Sequence, residues 1–171
     1  MAFLSTIQRE LTQEAAVTRW HLVRVPFDQQ AFKLHYKSES LGRLAIHVTE
    51  IVAWWKECLE NSGLDFINFD PQNIQPTDEL LAHFGAWLSV SEEALVAVKE
   101  EELEKEWSMR YGERILLTLS KKEGLRKICM NHLFPHRAQL GVYLRSLDTP
   151  VLAAFRPSAD NEEVTLINPF L

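Results

Sequence analysis

Four stretches of the chain place apolar side chains every three or four positions, and each is bounded by helix-stopping residues. The first runs from about Ser5 to Arg24, with Ser5 and Gln8 at capping-box spacing and Pro26 as the stop. The second opens after Ser38-Glu39-Ser40 and runs to about Asn61, before Ser62-Gly63. Its Leu41, Leu44, Ala45, Val48, Ile51, Val52, Trp55 and Leu59 make one stripe. The third opens at Pro76-Thr77-Asp78, with Thr77 or Asp78 as N-cap, and carries Leu80, Leu81, Phe84, Trp87, Leu88, Leu95 and Val98 to about Lys99. The period then becomes two. Trp107, Met109 and Tyr111 alternate with polar residues, and Ile115, Leu117 and Leu119 alternate again after Gly112-Glu113, which predicts a hairpin over about 105–119. The fourth helix opens on Ser120 and Glu123, a second capping-box pair, and runs to about Ser146, before Asp148-Thr149-Pro150. Helices of about 20 to 25 residues are about 30 to 38 Å long. The expected fold class is therefore all-α: an up-down four-helix bundle with a small β-hairpin before the last helix. A length of 171 residues fits a single domain over 1–171.

Composition narrows the function classes. With 46% hydrophobic and 25% charged residues the chain is ordinary globular material, which excludes a disordered protein. Lys and Arg number 18 against 24 acidic residues, for a net charge of -6. The basic residues are scattered, so neither nucleic acid nor a membrane surface is an expected partner. Cys58 and Cys129 belong to no CxxC pair, so they are expected as two buried, reduced thiols and cysteine-based zinc is not encoded. The opening MAFLSTIQRELTQE turns acidic too soon for a signal peptide, and no run of apolar residues is long enough to span a bilayer. The expected location is the cytoplasm.

Six histidines are the natural candidates for chemistry. His21, His35 and His83 lack a spaced partner and are expected on the surface or hydrogen-bonded in the core. His132 and His136 differ, because four residues on a helix put both imidazoles on one face, one turn apart. They continue the apolar row Leu125, Cys129, Leu140, Tyr143 and so do not face water. Two imidazoles buried there need a partner: a metal ion, a buried carboxylate or ordered water. A third ligand would come from another helix. His47 is the candidate, set inside the apolar segment LGRLAIHVTEIVAWW, with a hydrogen-bonded core histidine as the alternative.

The second helix, SESLGRLAIHVTEIVAWW, and the fourth, SKKEGLRKICMNHLFPHRAQLGVYLRSLDTPV, resemble the signature segments of the DinB-like (YfiT-like) superfamily of four-helix-bundle metalloproteins. Asn131-His132, His136-Arg137-Ala138-Gln139-Leu140 and Tyr143-Leu144-Arg145 are similar to that family's NH…HHRGQL…YLR run, and Pro157-Ser158-Ala159-Asp160 to its terminal PSAD. The resemblance implies that His47, His132 and His136 hold one divalent ion, zinc or nickel. It also implies thiol transfer or hydrolysis, since members with known activity transfer or isomerise low-molecular-weight thiols. Two positions depart from the pattern: Pro135 replaces a histidine and Ala138 a glycine. A proline between the two ligands removes a helix hydrogen bond and is expected to kink the helix and re-aim His136.

Three neutral imidazoles leave a dication uncompensated and one position free, the pattern of catalytic rather than structural zinc. Glu50 and Gln139, each three residues after a histidine, are candidates to orient the rings. Trp54, Trp55, Trp87 and Trp107 are expected in the core, and Arg137 and Arg145 on solvated faces where either could hold an anionic substrate. No catalytic general base or nucleophile is identifiable. Three readings stand: a single-metal enzyme of thiol-transferase or hydrolase type acting on a small molecule, a non-catalytic metal- or ligand-binding bundle, and a homodimerising interaction module.

Overall fold

The computed structural model describes residues 2–67, 69, 72–151 and 159–160. Helices α1 (Ala2–Leu22), α2 (Leu41–Glu60) and α3 (Thr77–Ala97) are followed by strands β2 (Glu106–Tyr111) and β3 (Arg114–Ser120). The last rod joins α4 (Lys121–Gly124), a π-helical segment (Leu125–Met130) and α5 (Asn131–Ser146). A short strand that the sequence reading missed, β1 (Gly63–Asp65), lies between α2 and α3. The all-α bundle with a small sheet is as expected, with helix α2 at its centre. All eight stripe residues of α2 are buried, and so are Ile46, Thr49, Glu50 and Trp54 on its other faces.

Long-range hydrogen bonds set the helix directions. Gln8 near the start of α1 donates to the Leu95 carbonyl near the end of α3, and Thr77 at the start of α3 donates to the Val25 carbonyl beyond the end of α1. These two helices are antiparallel. Gln75 bonds Gln30 just ahead of α2, and Ser91 bonds the Val52 carbonyl, so α2 and α3 run together. In the last rod Arg126 meets Glu10 and Arg137 meets Glu14 and Thr18, which makes it parallel to α1. The order is up, down, down, up, so the bundle is as expected but the simple up-down alternation is not, because α2 and α3 run parallel. Two parallel neighbours need a long return, and the stretch from Asn61 to Pro76 provides it, carrying β1 across one end of the bundle.

Local chemistry explains most boundaries. Ser40 caps α2, its Oγ accepting from Arg43 N at 3.3 Å. Ser120 and Glu123 form the expected capping box, both bonds 3.2 Å. Two expected caps are corrected. Helix α1 already begins at Ala2, so Ser5 sits within its first turns, and α3 starts at Thr77 after Pro76 with no side-chain cap. The Thr77 hydroxyl is instead spent on Val25. At the other end of α2, the buried Lys121 donates Nζ to the Leu59 carbonyl, a cation on a helix C-terminus.

The hairpin turns at Gly112, where φ is 58°, and β2 also pairs in parallel with β1. A side chain at Gly63 would meet the Ser108 carbonyl at 2.5 Å, so β1 closes on β2 only through a glycine. Cys58 and Cys129 are free and buried as expected, but they touch, one on α2 and one on the π-helical segment. Burial, with the hydrogen bond to Cys58, pushes the Cys129 thiol well above its ordinary range. Trp55 and Trp107 are core residues as expected, whereas Trp87 is half-exposed against His83.

Candidate metal centre

Helix α2 presents His47 from mid-length, and α5 presents His132 and His136 from its first two turns. The two helices pack against each other in antiparallel directions. The result is one cluster, in which the ligand-capable nitrogens of His47, His132 and His136 all lie within 4.8 Å of one another. The ring centroids are 5.3 Å apart for His47 and His132, 4.8 Å for His47 and His136, and 4.7 Å for His132 and His136. All three are half-buried. The kink expected at Pro135 does not separate them. The helix continues through Pro135, which lies on the exposed side, and the irregular backbone is the π-helical segment one turn upstream.

Two of the imidazoles are held by an oxygen acceptor: His47 Nδ1 lies 3.3 Å from Glu50 Oε2, and His136 Nδ1 lies 2.9 Å from Gln139 Oε1. The expected orienting roles of Glu50 and Gln139 are thus realised in geometry. A carboxylate can only accept, so the His47 Nδ1 carries a proton and Nε2 is the nitrogen left for a ligand role; the Gln139 amide oxygen likewise accepts from His136 Nδ1. Arg43, which the sequence reading overlooked, grips Glu50 with two bonds of 3.0 and 2.6 Å, and the Gln72 amide adds a third donor at 3.4 Å. The signal was present in the sequence, since Arg43 and Glu50 are seven apart and therefore share a helix face.

Electrostatics suit a cation. Burial, reinforced by the positive fields of His136 and His47, lowers the His132 pKa to about 4, so its lone pair is available at neutral pH. His136 is lowered too, chiefly by burial and against its bond to Gln139. Burial alone would raise Glu50, but the bonds from His47 and Arg43 outweigh it and hold this carboxylate below its usual range. Trp54 is both core and wall. It is 5% exposed, and its ring lies 5.6 Å from His47, 5.2 Å from His132 and 5.8 Å from Phe66.

The donor set fits a divalent ion. Three imidazoles converge, two of them are tied through Nδ1 to oxygen, and a buried anion stands behind one of them. Among the described residues this is the group of metal-capable side chains that comes together. The other histidines stay apart: His21 is buried with Nδ1 bonded to the Val17 carbonyl, and His35 and His83 are exposed or half-exposed.

Of the two arginines expected on solvated faces, Arg137 is instead buried between α5 and α1, 2.6 Å from Glu14 Oε2 and bonded to Thr18. Arg145 is exposed, as expected, and pairs with Asp160 at 2.6 Å, so the two sequence signatures that contain them are tied together. Pro157 and Ser158 of the terminal signature lie outside the described residues.

The DinB family model matches residues 1–159. A solved DinB-like protein from Bacillus subtilis shares the fold with a TM-score of 0.66 at 18% identity, over 92% of this chain and 99% of that one. No curated protein matches the sequence.

Proposed function

The chain belongs to the DinB family, and we propose that His47, His132 and His136 ligate one divalent ion, zinc or nickel, that serves a metal-dependent enzyme of thiol-transferase or hydrolase type. The observation that carries the reading is the convergence of three half-buried imidazoles from two helices, two of them with Nδ1 on a side-chain oxygen acceptor. A dication with three neutral ligands and an open position supplies Lewis acidity and favours the ionised form of a thiol or water presented to it. Imidazole donors and a thiol substrate both suit zinc and nickel.

The chain's own residues do the rest. Glu50, held ionised by Arg43, fixes the His47 tautomer, and Gln139 fixes that of His136. Trp54 and Phe66 form an apolar wall that limits water beside the rings. Elemental analysis of the purified protein tests the first half, with about one divalent ion per chain expected. The His132→Ala variant should lose most of it with helical content intact; full occupancy in that variant ends the proposal. The second half is read by conjugation of a small electrophile to low-molecular-weight thiols, comparing metal-loaded, chelated and His47→Ala protein. Equal rates in all three would leave a metal-binding bundle without turnover.

A further inference from the structure

A cavity of about 600 Å³ opens beside the cluster, and His47 and His136 form part of its wall. That volume is in the range of small-molecule sites. Its remaining lining is divided by chemistry. Near the histidines stand Arg43 and Gln139; the body is mostly apolar, from Leu34, Leu44 and Val142, with Ser38 and with Tyr143, whose hydroxyl already donates to the Glu39 carbonyl; the outer wall carries Glu39.

The inner polar groups are donors, because their other functions are already committed. Gln139 gives its carbonyl oxygen to His136 Nδ1, which leaves the amide NH₂ without a protein partner among the described residues. Arg43 gives one hydrogen from each terminal nitrogen to Glu50, leaving Nε–H and the second hydrogen of each as donors. Arg43 and Glu50 cancel in charge, so the inner end is neutral by itself and positive once the histidines hold a dication. The outer wall is the reverse. Glu39 is exposed, and its carboxylate has no ion-pair partner among the described residues. Between the two ends, Leu34 and Val142 are 43% and 56% exposed, large apolar side chains facing the open cavity.

We infer that this cavity binds an aliphatic monocarboxylate, its carboxylate beside Gln139 and the histidines and its hydrocarbon chain along Leu44, Leu34 and Val142. The inference deepens the metal-site reading and rests on it for the charge of the inner end. A second carboxylate at the far end of the ligand would face Glu39, so dicarboxylates are disfavoured. An amine entering the same way would place its charge against the dication and the Gln139 NH₂; entering reversed, with its charge at Glu39, it would leave that inner positive end unpaired, and it is disfavoured for that reason.

The test is calorimetric titration of zinc-loaded wild-type protein with octanoate, octylamine and octanedioate. Octanoate should bind about tenfold or more tighter than either of the others. The Val142→Trp variant, altered at an exposed position, fills the apolar body and should weaken octanoate by about tenfold or more with zinc stoichiometry unchanged. Octylamine binding as well as octanoate, octanoate binding unaffected by Val142→Trp, or no octanoate binding at all overturns the inference. Zinc uptake is measured separately by competition with a chromophoric chelator. Absence of uptake defeats the metal reading, while octanoate is still scored on the metal-free protein, so the two failures are told apart.

Discussion

Glu50 shows how one side chain converts a common spacing into a site. It is 3% exposed and yet ionised, because Arg43, His47 and the Gln72 amide all donate to it. Replacing it by Gln keeps the volume but removes the charge that stabilises the His47 N–H, and should weaken metal binding by about 10- to 100-fold. Chelator competition measures this, and an unchanged affinity would make Glu50 a packing residue only. The His132 pKa also has a stability consequence. In the metal-free protein it is lowered from 6.5 to about 4, so between these values the unfolded chain binds more protons than the folded one. Stability is then fully present above about pH 6.5 and declines as pH falls toward 4. Denaturant titrations of chelated protein across that window should show this slope, and His132→Asn should flatten it. A slope that is identical in the variant would assign the effect to other groups.

At the level of elements, α5 is fixed against α1 by a buried ion pair that periodicity could not reveal. Arg137 and Glu14 are 6% and 14% exposed, and Thr18 and the Glu14 carbonyl take further bonds from the guanidinium. Removing one partner strands a buried charge. Arg137→Met should therefore cost about 3 to 5 kcal/mol in denaturant unfolding, and pairing it with Glu14→Leu should recover much of that loss. If the single variant is as stable as the wild type, the pair has no structural role. The π-helical segment matters at the same scale. It sits directly ahead of Asn131, the first residue of α5, and so sets where that helix begins and the level at which His132 enters the cluster. Gly124 permits the close contact of the rod with α2, since a Cβ there would lie 2.8 Å from Cys58 Sγ.

For the whole molecule, the charge of -6 and the scattered basic residues bear on partners rather than fold. Several basic side chains are already paired: Arg43, Arg126, Arg137 and Arg145 each meet a carboxylate at 2.6 Å. Acidic residues outnumber the basic ones and no basic cluster offers to replace counterions on a phosphate backbone, so duplex DNA should not bind appreciably at physiological salt. Tight, salt-sensitive retention in a mobility-shift assay would contradict this. No helix among the described residues is long and apolar enough to cross a membrane.

Much of the architecture is written in local pattern. The stripe of α2, the capping box at Ser120 and the alternation around Gly112 act within a few residues, so four helices, a hairpin and the shared face of His132 and His136 are legible from the residues alone. Residues far apart in the chain meet only through packing, and those meetings belong to the assembled fold. It set the direction of α3 beside α2, added β1, buried Arg137 against Glu14 and Cys58 against Cys129, and turned His47 toward the other two histidines. The physical reason is that periodicity states which face is apolar but not which neighbour covers it. Even so, His47 could be named before the fold was seen, because an imidazole inside an apolar row needs a partner wherever the chain folds. Arg43 could not be assigned in the same way, since its role depends on Glu50 being buried, and burial belongs to the assembled bundle.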